Sequence, residues 1–276
     1  MENLPADYFF TRNVYQDVYP SIDPSSPSLS LAGKVVIITG ASRGIGAKGI
    51  APSFAHAGAK AIILVATNAI KLAEVEATLH EINPAVQTLS VATDISSASS
   101  VASLFETVNA KFGHADILTN NAGVNAGGGN IHEEDPDAWW RNFEINTKGA
   151  FLLSQSFLKS LPSPTTHATI VNLVTAGAWY VHPNMSGYTI SKLAALELTA
   201  HIAAAYPNVT AVALHPGLVE TDMLMDLSGE RAKFLSGRVV AANWSVDGLV
   251  EKKGEIEEGN LLRVDLVGRL GREQFE

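Results

Sequence analysis

Tyr188 and Lys192 lie four residues apart at the head of the alanine-rich stretch SGYTISKLAAL, Ser186–Leu196. On a helix, residues i and i+4 share a face, so the phenol and the ammonium can point into one pocket. A phenol, with a pKa of about 10, is a poor proton shuttle at neutral pH. A neighbouring ammonium favours phenolate, and a fall of roughly two or three units would bring Tyr188 into the range of general acid–base work. Spacing alone does not establish that chemistry, because a tyrosine and a lysine on any solvated helix face share it. A second candidate lies upstream in TGASRGIG (Thr39–Gly46), with glycines at 40, 44 and 46. Glycine permits a tight turn and close approach of a ligand, and a helix N-terminus offers free N–H groups to a pyrophosphate. A strand-to-helix turn can need glycines for geometry alone, but its place after the first strand of an alternating pattern favours nucleotide binding.

These groups need a scaffold to position them. Strands are expected at Lys34–Gly40, Ala61–Ala66, Val86–Asp94, Ala115–Gly123, Ala168–Ala176 and Asn208–Gly217, with a last one in GRVVAANW (Gly237–Trp244). Helical patterns fall between them at Gly44–His56, Ile70–Glu81, Val101–Phe112, Ala138–Leu161 and Gly187–Ala205. Apolar strands alternating with helices imply a parallel sheet covered on both faces, a doubly wound α/β fold of the Rossmann type in one domain. Ligands of such sheets lie at the carboxyl ends of the strands. There Asp94 can accept from an adenine amino group, or cap the helix that begins near Ser96. NNAG (Asn120–Gly123) ends the fourth strand and also fits an ordinary turn. Gly49 and Pro52 conflict with the first helix, where proline costs about 3 kcal/mol.

The chain has 276 residues, 46% hydrophobic and 17% charged, enough to bury a sizeable core. Its net charge of −9 argues against nucleic acid or an anionic membrane as partner. With no cysteine, thiolate catalysis, thiolate metal sites and disulfides are excluded. MENLPADYFFTRN is no secretory signal, and no apolar run approaches the roughly 20 residues of a membrane span, so the cytoplasm is the expected location. Residues 1–33 are expected to form an arm or linker, rich in Pro and Ser over Tyr19–Ser30, with an aromatic patch that includes Phe10 and Tyr15 and favours docking. The dinucleotide-binding domain would span 34–244, with a charged helix and tail over 245–276.

The ordered set TGxxxGxG, Asp94, NNAG, Asn146, YxxxK and PGLVET (Pro216–Thr221) resembles the short-chain dehydrogenase/reductase family from about Leu31 to Met223. The wording of WWRNFEINTKG and FLSGRVVAANWSVD is similar to fungal members of the family. The resemblance implies that Tyr188 is the acid/base for a carbonyl or alcohol, and that Lys192 holds the nicotinamide ribose and depresses the tyrosine pKa. It implies that Asn146 anchors a water in a proton relay. The substrate-binding serine of the family falls at Thr175, which keeps a hydroxyl donor; Ser186 is a lesser alternative. The cofactor would be held by Gly40, Ser42, Arg43, Gly44, Ile45, Gly46, Thr67, Asp94, Asn121, Ala122, Gly123, Pro216, Gly217, Val219 and Thr221, besides Tyr188 and Lys192. His215 has no family role and reads as structural. No metal site is implied.

An NAD-preferring member carries an acid at the end of the second strand, on the ribose 2′-OH. Here Ala66, Thr67 and Asn68 follow in register, while Arg43 can pair with a 2′-phosphate, so NADP is favoured over NAD. Only Leu224–Ser236 separates PGLVETDM from the last strand, about thirty residues fewer than the family pattern. That strand would pair only barely, under a short lid. The expected activity is NADP(H)-dependent interconversion of a ketone or aldehyde with an alcohol. The alternative is a dinucleotide-binding protein without reductase activity, and isomerisation or dehydration is a third reading that no residue selects. Family members pair through the two long helices, which implies a homodimer or homotetramer.

Overall fold

The computed structural model describes residues 10–15, 17–216 and 230–263. At its centre the run VVIIT forms strand β1 (Val35–Thr39), buried along its whole length. Alternate side chains go to opposite faces of a strand, so Val36 and Ile38 enter one apolar core and Val35 and Ile37 another. β2 (Ala61–Ala66) divides in the same way, with Ile62 and Leu64 opposed to Ile63 and Val65. Two cores demand helices on both faces of the sheet, which is why these strands carry no polar alternation. Burying each Val, Leu or Ile fully is worth roughly 1.5–3 kcal/mol.

β3 (Gln87–Ala92), β4 (Ile117–Asn120), β5 (Ala168–Leu173), β6 (Val209–His215) and β7 (Val239–Ala241) complete a seven-stranded sheet. The order is β3-β2-β1-β4-β5-β6-β7, and every pair is parallel. This is the doubly wound sheet expected from the alternating pattern. β7 pairs fully: Ala213, Leu214 and His215 of β6 stand opposite Val239, Val240 and Ala241. The short connection therefore suffices for the last crossover, although residues 217–229 of it lie outside the described residues.

The helices begin where polar side chains satisfy free N–H groups. Asn68 accepts from Lys71 N–H at the start of α2 (Ala69–Ile82), and Ser97 from Ser100 N–H at the start of α3 (Ala98–Phe112). Two helices differ from the expected continuous form. In the first, Gly46–Ile50 is a π turn in which Ala51 N–H donates to Gly46 O, and α1 (Ala51–His56) follows. A regular turn would set the Pro52 ring against the carbonyl of Lys48; the wider turn relieves that clash and accounts for the proline. In the second, Asp135 caps α4 (Pro136–Asn142), Phe143–Gly149 widens into another π turn, and α5 (Ala150–Ser160) completes the rod. α6 (Ser186–Ala205) runs unbroken.

The polar-rich N-terminal stretch lies against residues 243–247. Val14 makes an antiparallel bridge to Trp244, the Phe10 ring meets that of Trp244 at 5.6 Å, and Tyr15 stacks on Tyr19 at 3.8 Å. Ser245 caps α7 (Val246–Glu251), with α8 (Lys253–Glu258) behind it. Among the described residues no helix is long and apolar enough to cross a membrane. The Tyr19 hydroxyl is the buried acceptor for Val246 N–H at 2.7 Å. Tyr19→Phe leaves that N–H without its partner, at a cost of about 1–3 kcal/mol. Thermal unfolding of this variant should begin several degrees below wild type.

Candidate active site

The strand order reverses between β1 and β4, and the crevice outside their carboxyl ends is where such sheets bind ligands. The loop after β1 and the turn after β4 meet there in close contact. Gly40 has φ +66, and a Cβ on it would stand 2.9 Å from Ala122 Cα. A Cβ on Gly46 would stand 2.5 Å from Gly40 O, so both glycines are required by packing. Thr39 Oγ1 accepts from the N–H groups of Asn121 and Ala122, each at 3.1 Å. The Asn121 amide donates to Thr39 O at 2.8 Å and to Gly40 O at 3.3 Å. Both amide hydrogens of Asn121 thus hold the loop, and they are not offered to a ligand. Gly44 is open, with φ +58, and Ser42 and Ile45 are half-buried while Arg43 is exposed.

Asp94 accepts from the N–H and hydroxyl of Ser96 at 2.9 and 2.7 Å, and Ser97 is the helix cap. Those two bonds hold the Asp94 carboxyl below its ordinary value, so it stays an acceptor at the exposed end of β3. Asn68, after Ala66 and the exposed Thr67, is engaged as the cap of α2, and no carboxylate stands there.

The proposed reactive groups come together on α6 and its neighbours. The hydroxyls of Tyr188 and Thr175 share a hydrogen bond. Thr175, after β5, also accepts from Gly177 N–H at 3.3 Å, which fixes its hydroxyl at the start of a short 3-10 turn. Lys192 is 5% exposed and donates to Leu173 O at 2.7 Å. A Cβ on Gly123 would lie 3.1 Å from Lys192 Nζ and 3.2 Å from Asn146 Oδ1, so the NNAG glycine makes room for both groups. The Asn146 amide accepts from Val124 N–H at 2.8 Å and donates to Val124 O and Ser191 Oγ at 2.9 Å each. It has no hydrogen left for a water. Ser186 Oγ accepts from Trp139 Nε1 at 3.0 Å. His215 ends β6 edge-on to Trp179 at 5.8 Å, and burial pushes its imidazole down to about 4. Pro216 follows it; Gly217, Val219 and Thr221 lie outside the described residues.

The electrostatics correct one expectation. Burial pushes the Tyr188 phenol above its ordinary value, and the Thr175 hydrogen bond offsets this only in part. Burial also pushes the Lys192 ammonium down, to about 8, so it remains largely charged at neutral pH. Both groups are withdrawn from water, and desolvation disfavours charge on each. A cavity of ≈ 580 Å³ is lined by Ile131, Trp179, His182, Ile190 and Leu193, and by Gly177, whose N–H donates to Thr175.

Residues 34–232 match the family model described as short chain dehydrogenase. The chain belongs to that family. The dehydrogenase is 34% identical to the short chain dehydrogenase mpl6 of Monascus purpureus, over 95% of this chain and 98% of the relative. It is also 34% identical to the short chain dehydrogenase tazN of Aspergillus terreus, over 91% of this chain but only 60% of the relative. The likeness to fungal members is therefore present. Among solved structures it overlays a short chain dehydrogenase of Mycobacterium smegmatis with a TM-score of 0.71 and 23% identity, covering 77% of this chain and 92% of the other. A protein of the same fold from Shigella flexneri, solved complexed with NADP, overlays with a TM-score of 0.69 and 21% identity over 77% and 98%. The dehydrogenase is an NAD(P)-dependent oxidoreductase acting on a CH–OH group.

The residues present fit a dinucleotide. The left-handed glycines open the loop, Asp94 is held ionised, and Gly123 sets no side chain against the ammonium. Two groups escaped the sequence reading: Ser191, between the reactive pair, and Asn142, one turn before Asn146. The signal for Asn142 was present as a second asparagine at i−4.

Lys192 supplies a test with a definite sign. Below pH 8 folded and unfolded chains both carry its proton, and the folded state bears the full penalty of a buried ammonium, roughly 3 kcal/mol. Between pH 8 and about 10.5 the folded chain has released a proton that the unfolded chain keeps, so stability rises with pH. Lys192→Met should be the more heat-stable protein at pH 7, and wild type should close the gap by pH 10 in paired unfolding curves.

Proposed function

We propose that this dehydrogenase interconverts a ketone or aldehyde with an alcohol using NADP(H), with Tyr188 as acid/base. One observation carries the reading: the Tyr188 and Thr175 hydroxyls share a hydrogen bond beside a buried Lys192 ammonium. The nicotinamide supplies the hydride when bound. Thr175 donates to the carbonyl oxygen and polarises it. Tyr188, which burial keeps protonated at neutral pH, passes its proton to the same oxygen as negative charge develops there. Lys192 then neutralises the phenolate across a dry site, where such attraction is strong. A protonated phenol at rest suits reduction of a carbonyl. Threonine in place of the family serine retains the donor and stiffens its rotamer.

Preference for NADP over NAD rests on Arg43, exposed in the glycine loop, and on the missing carboxylate after β2. The NADP in the Shigella flexneri neighbour is in keeping with it. A nucleotide-binding protein without turnover is not favoured, since the reactive hydroxyls and the ammonium are assembled. Exposed Trp140, Phe151 and Ile190 on the long helices support pairing into a homodimer or homotetramer. The cytoplasm suits an enzyme that draws on NADPH.

Tyr188→Phe should cut NADPH-dependent turnover of a ketone panel by about 10²–10⁴-fold while leaving NADPH affinity within a few fold. Loss of neither would remove Tyr188 from the chemistry. Arg43→Glu should weaken NADPH binding about 10–100-fold with little change for NADH, as titration of both cofactors would read; equal losses would end the argument for NADP.

A further inference from the structure

Asn142 is fully buried, four residues before Asn146, and makes the same pair of bonds one step along the chain. Its Oδ1 accepts from Ala126 N–H at 3.0 Å and its Nδ2 donates to Ala126 O at 2.8 Å. Asn146 does this with Val124 at 2.8 and 2.9 Å. Backbone groups of residues i and i+2 face one side only in an extended chain. The two amides therefore stand in for a neighbouring strand and hold residues 124–126 straight, directly after Gly123.

The same amides meet α6 in matching register. A Cβ on Gly187 would stand 2.9 Å from Asn142 Nδ2, and Asn146 Nδ2 donates to Ser191 Oγ at 2.9 Å. Gly187 precedes Tyr188, and Ser191 precedes Lys192. Asn146 thus joins the extended segment to α6 by a hydrogen bond. Asn142, whose amide also donates to Ala138 O and Trp139 O of its own helix at 3.2 Å each, meets α6 by close packing on Gly187. Each contact falls one residue before a reactive side chain. We infer that Asn142 is a positioning residue for Tyr188, as Asn146 is for Lys192, because its amide, held by the segment that lines the crevice, is the surface on which Gly187 of the catalytic helix packs. The inference rests on Tyr188 being the acid/base. Glycine at 187 belongs to the device, because any side chain there would displace the amide. An apolar residue at 142 would leave Ala126 N–H and C=O unpaired and free α6 to draw away, admitting water to the phenol.

The experiment labels tyrosine with ¹³C at Cζ and follows Tyr188 by NMR as pH rises, with Tyr188→Phe to assign its signal. Asn142→Leu should bring the Tyr188 midpoint down towards the ordinary value by about one unit, as the phenol regains water. It should also lower kcat for a ketone about 10-fold or more with the NADPH KM changed less than about 3-fold. Leu153→Ala, a core truncation in α5, serves as the destabilised control and should move neither quantity. An unshifted midpoint in folded Asn142→Leu would overturn the inference. Should that variant not fold, hydrogen exchange of wild type decides: the Ala126 amide must be protected like a strand amide, and exchange at open-loop rates would equally overturn it. If wild type turns over no carbonyl while the midpoint still shifts, the proposed function fails and the positioning stands.

Discussion

An ammonium buried to 5% exposure with Leu173 O as its hydrogen-bond acceptor is the constraint around which the rest is arranged. A lone charge out of water is expensive, and the penalty falls with every dipole and acceptor aimed at it. Leu173 can serve because β5 ends there, in a register set by pairing with β6. A side chain at Gly123 would crowd the ammonium, which stands 3.1 Å from where its Cβ would be. Thr175 then lies two residues past Leu173, within reach of the phenol one turn before the lysine. The position of one nitrogen atom thus ties together the ends of two strands, a turn and a helix.

Most of the frame was legible in the residues. Continuous apolar runs such as VVIIT and AIILVA could only be strands buried on both faces, and their alternation with helices gave the parallel order. The candidate hydroxyls and the lysine were legible because spacing on a helix and distance from a strand end are local properties. Harder to read were features that depend on two distant segments at once. The Asn121 amide looks like a ligand contact until Thr39 and Gly40 are seen to claim both of its hydrogens. Asn146 likewise shows from sequence nothing of the bonds to Val124 and Ser191 that take both of its amide hydrogens.

The electrostatics were misread for a related reason. Sequence spacing shows that Tyr188 and Lys192 share a helical face, and from that alone attraction between phenolate and ammonium is expected to dominate. It says nothing of how far the face is withdrawn from water. Once burial is known, desolvation is the leading influence on each group, and both shift towards their neutral forms. Pro52 was similarly opaque: a proline in a helical pattern reads as a fault, and only the π turn before it shows how the ring is accommodated.

The π turn over Phe143–Gly149 has a further consequence for how this segment tolerates change. One residue on a helix corresponds to about 100° of rotation, so the extra residue held in that wide turn sets the angular phase between α4 and α5. Upstream, that phase aims Asn142 at the crevice; downstream, it aims Leu153 and Phe157 at the core. Substitutions along this stretch act one site at a time. Gain or loss of a single residue would turn one half of the rod against the other, so this helix is locked in length as well as in composition.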